Sequence, residues 1–148
     1  MSPLKLKSPD VVEVPLVECD PTGETVVKVR QATMHENTLR ADLWATASRI
    51  VRDPTGEELE LKQRLSIPEV MRTEVWLTMV GCNLEDSEGR PVFNFRRNAE
   101  GRDYLTMKRG EFDDAWGTLP TDIALEIHRA VIAVNPDWGD GRAKTATS

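Results

Sequence analysis

Apolar residues in the last quarter of the chain recur at the three- and four-residue spacing of an α-helix. The pattern runs through residues 121–134 and predicts one amphipathic helix. Pro120 stands before it and Asn135-Pro136 after it, as is typical of helix boundaries. Trp116 and Trp138 bracket the segment. The rest of the chain therefore has to supply the surface on which the apolar face of this helix packs.

Near the N-terminus the pattern indicates a β-hairpin. Residues from Val11 to Val17 predict a strand, and Pro15 within it favours an edge position because proline cannot donate a ladder hydrogen bond. Residues 20–24, Asp-Pro-Thr-Gly-Glu, are a strong turn signal. The valine-rich stretch from Thr25 to Arg30 predicts the second strand.

A helix is predicted directly after this hairpin. Thr33 and Glu36 form a capping-box pattern that starts a helix of about residues 34–51. Apolar residues at three- and four-residue spacing define its expected buried stripe. These residues are Leu39, Leu43, Trp44, Ala47, Ile50 and Val51.

A second capping box, Ser66 with Glu69, starts a helix of about residues 67–80 that we expect Gly81 to end. This helix is apolar around more than one face, which predicts the central helix of the core. Before it, residues 53–57 repeat the turn pentapeptide letter for letter and residues 59–65 alternate as a third strand. Reuse of a favourable turn explains the repeat better than duplication, since repeat arrays need several copies.

The stretch that follows is more polar. Residues 85–90 predict a turn, and residues from Pro91 to Phe95 predict a short strand. Residues from Arg96 to Arg109 are expected to form a basic loop, broken by a short strand around Tyr104 to Met107. A helix of about residues 108–116 should then lead to the last helix.

Length and composition indicate a single globular domain. A chain of 148 residues, 39% hydrophobic and 30% charged, can bury roughly 70% of the surface that its unfolded form exposes. We expect an α+β fold of three to four helices packed on a small antiparallel sheet or hairpin. The domain should span residues 11–138, between a flexible lead of residues 1–10 and a mobile tail of residues 139–148.

Charge and cysteine content limit the binding partners and the cellular compartment that we expect for the protein. The net charge of −6 argues against direct nucleic-acid binding as the main activity. No apolar run approaches the ~18 to 20 residues of a membrane span, so a cytoplasmic protein without membrane contact is expected. Cys19 and Cys82 are too few for a disulfide scaffold, and we expect both to be reduced and buried or half-buried.

No pattern in the chain indicates catalysis. His35-Glu36 begins like a zinc-protease helix, but Leu39 stands where the second histidine ligand would be. His128 lacks a second ligand one turn away, which favours a structural or surface histidine. Gly-rich phosphate loops, dinucleotide fingerprints and nucleophile elbows do not occur. We therefore expect a non-enzyme with no catalytic residues, no cofactor and no metal.

Two features suit protein binding. The basic loop is interpreted as a solvated loop, a docking patch for an acidic partner protein or, last, a nucleic-acid contact. Among the tryptophans, Trp44 and Trp76 are expected in the core. Trp138 is expected either to anchor the end of the last helix or to enter a partner's pocket.

The closing pattern resembles the C-terminal part of tail assembly chaperone-like proteins of long-tailed bacteriophages. The residues that carry the resemblance are Phe112, Trp116, Leu119-Pro120, Ile123, Ile127, Val131 and Asn135-Pro136-x-Trp138. The resemblance implies a non-structural protein of the host cytoplasm that binds the tape measure protein, keeps it soluble and helps recruit the major tail protein.

A client-binding groove is expected where the last helix packs beside the central helix, since methionine and tryptophan make adaptable apolar surfaces. Its expected lining is Trp76, Met79, Trp116, Ile127, Val131 and Trp138. The alternative function is a structural virion component, such as a head-to-tail adaptor or minor tail protein, that forms a ring. A small regulatory or toxin-neutralising protein is a third interpretation, and homo-oligomerisation is left open.

Overall fold

The structure, a computed structural model, describes residues 3–6, 10–50 and 68–139, with side chains in the first helix described as far as residue 45. In these ranges it confirms the predicted α+β class, with five helices, a three-stranded antiparallel sheet and a two-stranded sheet. In chain order the elements are β1 (Val11–Pro15), β2 (Val26–Arg30), α1 (Met34–Ile50), α2 (68–78), β3 (Met79–Cys82), β4 (Phe95–Arg97), β5 (Asp103–Leu105), α3 (Arg109–Gly117), α4 (Thr121–Val134) and α5 (136–139).

The predicted N-terminal hairpin is confirmed. β1 pairs antiparallel with β2 and stands at the edge of the order β1-β2-β3. The connecting turn is held by the carboxylate of Asp20, which accepts hydrogen bonds from the backbone and hydroxyl groups of Thr22 and Thr25. These bonds favour the ionised carboxylate and lower the pKa of Asp20 to about 2. Gly23 adopts φ 72°, a conformation that glycine accepts without steric cost.

The start of α1 is confirmed as a capping box. The carboxylate of Glu36 accepts from the Thr33 N–H at 2.9 Å, and the Thr33 hydroxyl accepts from the Glu36 N–H at 3.3 Å. The predicted buried stripe is wrong at Leu39, which is 41% exposed. The face of α1 that turns to the protein interior instead carries Glu36 and Arg40, because each has a buried or half-buried partner of opposite charge.

Leu43 and Trp44 of the predicted stripe are half-buried, and Ala47, Ile50 and Val51 lie outside the described side chains. The predicted turn at residues 53–57, the predicted strand at residues 59–65 and most of the predicted tail also lie outside the described residues.

The predicted central helix ends earlier than expected. Residues 79 and 80 were predicted to be helical, but α2 stops at residue 78 and Met79 begins β3. β2 needs a partner on its second side, and β3 provides it with a register shift between Lys28 and Val29. Gly81 therefore lies in a strand opposite Lys28, where an added Cβ would come within 2.9 Å of the Lys28 side chain.

The basic stretch is a β-hairpin rather than a loop. β4 begins at Phe95, at the end of the strand predicted from Pro91, and pairs antiparallel with β5. Its turn is closed by the Asn98 side-chain oxygen, which accepts from the N–H groups of Glu100 and Arg102 at 3.0 Å each. The short strand predicted around Tyr104 to Met107 overlaps β5, but its pairing with β4 was not predicted, because the turn signal is one asparagine and one glycine within a run of charges.

The two C-terminal helices are confirmed. α4 packs on β2, and one apolar core forms between this helix, the inner face of the sheet and α2 and α3. The buried members of that core are Leu16, Val27, Val29, Val75, Met79, Phe93, Phe112, Ile127, Ala130, Val131, Val134 and Trp138. Among the described residues, no helix is both long enough and apolar enough to span a membrane.

Candidate partner-binding groove

A groove of about 510 Å³ lies between α1, α2 and α3, and we call it the Trp76 groove. Its apolar floor is formed by four side chains from α1 and α2, none of which is fully buried. These are Leu39, Leu43, Trp76 and Leu77. Charged and polar side chains form its rim, namely Asp42, Glu69, Arg72, Thr73, Arg109 and Asp113. An apolar floor with a charged rim is the usual anatomy of a protein-binding surface.

Trp76 is held in place from below by aromatic packing. Its ring centroid lies 5.3 Å from that of Phe112, which is completely buried. Phe112 also contacts Phe93 at 5.7 Å and Trp116 at 6.1 Å between centroids. Such tilted and stacked pairs hold the rings in defined orientations. Trp76 therefore presents a fixed indole surface to the groove.

The rim between α2 and α3 is a set of linked charges. The Arg109 guanidinium lies 5.6 Å from the Trp76 ring centroid, a cation–π distance. It also donates to the Thr73 hydroxyl at 2.8 Å and to Asp113 at 2.9 Å. Arg72 approaches the same carboxylate at 3.2 Å. One carboxylate thus pairs with two arginines on this wall, and the rim as a whole carries both signs of charge.

The structure does not bring the six predicted groove residues together at one surface. Met79, Ile127, Val131 and Trp138 are buried in the core, where a partner cannot reach them in this conformation. The apolar face of α4 was predicted to lie at an open edge beside α2. In the structure this face packs on the sheet instead. Trp116 is half-buried on the far side of Phe112 and does not line the Trp76 groove.

Trp138 anchors the end of the last helix, one of the two roles expected for it. Only 4% of the residue is exposed. Its Nε1–H donates to the side-chain oxygen of Asn37 at 2.7 Å, and the Arg40 guanidinium lies 5.3 Å from its ring centroid. Arg40 also donates to the Trp138 carbonyl at 3.1 Å. These contacts hold the short helix α5 against α1.

A buried ionic network joins α1, α2 and α4. Glu74 is completely buried, and its carboxylate lies 2.6 Å from Arg40 Nε and 2.9 Å from His128 Nε2. A carboxylate–histidine pair is also found in catalytic sites. Here both side chains are buried, and the partners join neighbouring helices. His128 is therefore the structural histidine that the sequence allowed.

A second buried carboxylate joins α4 to the segment after β1. Glu126 accepts from the N–H groups of Glu18 and Cys19 at 3.0 and 2.9 Å. Burial opposes ionisation of Glu126, but the hydrogen bonds from Cys19 and Glu18 outweigh it and lower the pKa of this carboxyl. A hydrogen bond between the Cys19 thiol and the Glu126 carboxylate, together with burial, raises the pKa of that thiol to about 11. Cys19 and Cys82 are both free and half-buried, as expected.

In the ranges that the structure describes, no three histidine, cysteine, aspartate or glutamate side chains converge as a metal site.

Sequence reasoning found Trp76 but missed most of the groove. Leu39 and Leu43 were assigned to a buried stripe, Arg109 was assigned to a basic loop, and none of these residues was predicted to line a groove with Trp76. The four-residue spacing of Leu39 and Leu43 marks an apolar face, but spacing does not say whether a neighbour covers it. The polar face of α1 turns inward because Arg40 pairs with the buried Glu74. Spacing within α1 does not indicate this long-range contact.

No protein-family model, no curated protein and no solved structure matches this chain.

Proposed function

We propose that this protein is a phage tail assembly chaperone whose Trp76 groove binds an amphipathic helix of the tape measure protein. The observation that carries the proposal is the groove itself, with a fixed tryptophan and exposed leucine on its floor and charges of both signs on its rim. The resemblance of the closing sequence pattern supports the identity of the client. While bound, the chaperone would keep the client soluble and help recruit the major tail protein.

The groove suits a helix because two helices form its walls. A client helix can insert apolar side chains at i, i+3 and i+7 between α1 and α2, over Leu39 and Trp76. The mixed rim complements an amphipathic helix whose apolar stripe is flanked by both acidic and basic residues. A uniformly charged ligand would be repelled by part of the same rim.

Co-expression with the tape measure protein of the same genome tests the proposal. Leu39→Glu places a charge on the groove floor, where it loses solvation when a client docks. We expect this variant to weaken client binding at least tenfold, about 1.4 kcal/mol, and to leave the tape measure protein in the insoluble fraction. Calorimetry with a soluble client fragment provides the affinity.

The matched control is Leu125→Glu. Leu125 is also helical and equally exposed, at 40% against 41% for Leu39, but it lies on α4 and does not line the groove. This control should bind the client like the wild type. Equal binding by both variants would contradict the groove assignment. Stable presence of the protein in purified mature virions would instead favour the structural virion component.

A further inference from the structure

A second recess lies on the opposite side of the sheet from the core, and we call it the sheet-face trough. The outward face of the three-stranded sheet forms one side of this recess, and the β4–β5 hairpin forms the other. It consists of two parts of about 710 and 460 Å³. Both parts are lined by Glu13, Lys28, Val80 and Asp103, so they form one continuous surface.

The trough is basic in a protein that is acidic as a whole. Its cationic side chains are Lys28, Arg30, Arg96, Arg97 and Arg102. Its carboxylates are Glu13, Glu36 and Asp103. The local charge is therefore positive, whereas the net charge of the chain is −6. Such a local reversal attracts an acidic ligand to this face.

Two of the three carboxylates are already neutralised. Glu36 forms an ion pair with Arg30, and Asp103 forms one with Arg97 at 3.1 Å. Within the described part of the chain, neither Lys28 nor Arg96 has a carboxylate at ion-pair distance. Neither cation is therefore held in an ion pair, although Glu13 stands opposite Lys28 across the β1–β2 ladder.

The shape and apolar content of the trough favour an extended chain. Val11, which is 54% exposed, and Tyr104, which is 44% exposed, line the larger part. Because the two parts of the trough join along the face of the sheet, an extended segment can follow both of them.

We propose that the sheet-face trough binds an extended acidic segment of a partner protein. Carboxylates of that segment meet Lys28 and Arg96, and its apolar side chains contact Val11 and Tyr104 in the larger part of the trough. The proposal rests on the trough alone and does not require a helix in the Trp76 groove, which is lined by different residues.

Fluorescence polarisation with labelled short peptides tests this inference on the full chain. The probe is a peptide of alternating glutamate and valine, and its counterparts are a lysine–valine peptide and a single-stranded oligonucleotide. We expect only the glutamate peptide to bind, with an affinity that falls as salt is added. Lys28→Gln with Arg96→Gln should weaken its binding about tenfold or more, because two charge-assisted contacts are lost.

Arg90→Gln is the matched control, since it removes one exposed cation at the turn after β3, where Arg90 pairs with Asp86 at 3.4 Å. This variant should bind the glutamate peptide as the wild type does. The single variant Arg96→Gln, on the exposed hairpin, keeps the test valid if the double variant unfolds. Three results overturn the proposal: no binding of the glutamate peptide, equal loss in Arg90→Gln, or preferential binding of the oligonucleotide.

Discussion

At the scale of single residues, the position of Trp138 follows from groups that lie far from it in sequence. Its indole N–H needs an acceptor once the ring is buried, and Asn37 supplies it 101 residues earlier in the chain. Arg40 lies against the ring and binds the Trp138 carbonyl. A tryptophan just after a helix thus became part of the core because α1 offers both a polar and a cationic partner.

Trp138→Ala should lower the free energy of unfolding by about 3 to 5 kcal/mol, because it opens a cavity and leaves Asn37 without its donor. Trp138→Phe keeps most of the ring volume and should lower the free energy of unfolding by less. Urea denaturation of both variants measures the two values. A loss below about 1 kcal/mol for the alanine variant would contradict the anchoring role, since surface substitutions fall in that range.

At the scale of elements, the β4–β5 hairpin orders a charged segment with one apolar cross-strand pair, Phe95 and Leu105, packed against the core. Its turn is closed by Asn98 and by Gly101, which adopts φ 82°. Arg97 and Asp103 pair across the two strands at 3.1 Å. This pair is exposed and weakly stabilising, so the backbone conformation of the turn matters more than the charge.

Gly101→Ala and Gly110→Ala test this view, because the same chemical change should act in opposite directions. Alanine at position 101 has to adopt a left-handed conformation, which destabilises by about 1 to 2 kcal/mol. Gly110 lies in α3 with open space around its Cα, so alanine there should stabilise by about 0.5 to 1 kcal/mol. Thermal denaturation gives the sign of each change, and the same sign for both would contradict the account.

At the scale of the whole molecule, buried carboxylates join segments that are distant in sequence. Glu36 joins α1 to β2 through Arg30, and Glu126 joins α4 to the segment after β1. Burial alone would raise the pKa of Glu36, but hydrogen bonds from Arg30 and Thr33 outweigh it and lower this pKa, as happens at Glu126. Both groups therefore stabilise the fold in their ionised form.

Stability should consequently depend on pH. Because both pKa values lie below the ordinary 4.5, the stabilisation is complete above that pH and is lost as the pH falls through the lower folded-state values. Glu36→Gln with Glu126→Gln should reduce the melting temperature at pH 7 and flatten its fall towards about pH 3. The control is Glu24→Gln, at an exposed position. Its melting temperature should depend on pH as that of the wild type does. A double variant whose melting temperature falls as steeply with decreasing pH as that of the wild type would contradict this assignment.

What the sequence determined by itself is the set of local elements. The N-terminal hairpin, the capped start of α1, and helices α3 and α4 follow from turn residues, capping boxes, prolines and helical spacing, all of which act between residues a few positions apart. Trp76, which lines the Trp76 groove, was also one of the six residues predicted to line a groove.

Tertiary structure decided which faces of these elements meet. Met79 became a strand residue because β2 required a second partner, and Leu39 was left exposed because Glu36 and Arg40 found partners inside. The predicted groove along α4 was replaced by the Trp76 groove for the same reason, since α4 covers the sheet with its apolar face. Helical spacing identifies an apolar face, but only long-range packing determines whether another element covers that face or leaves it open to a partner.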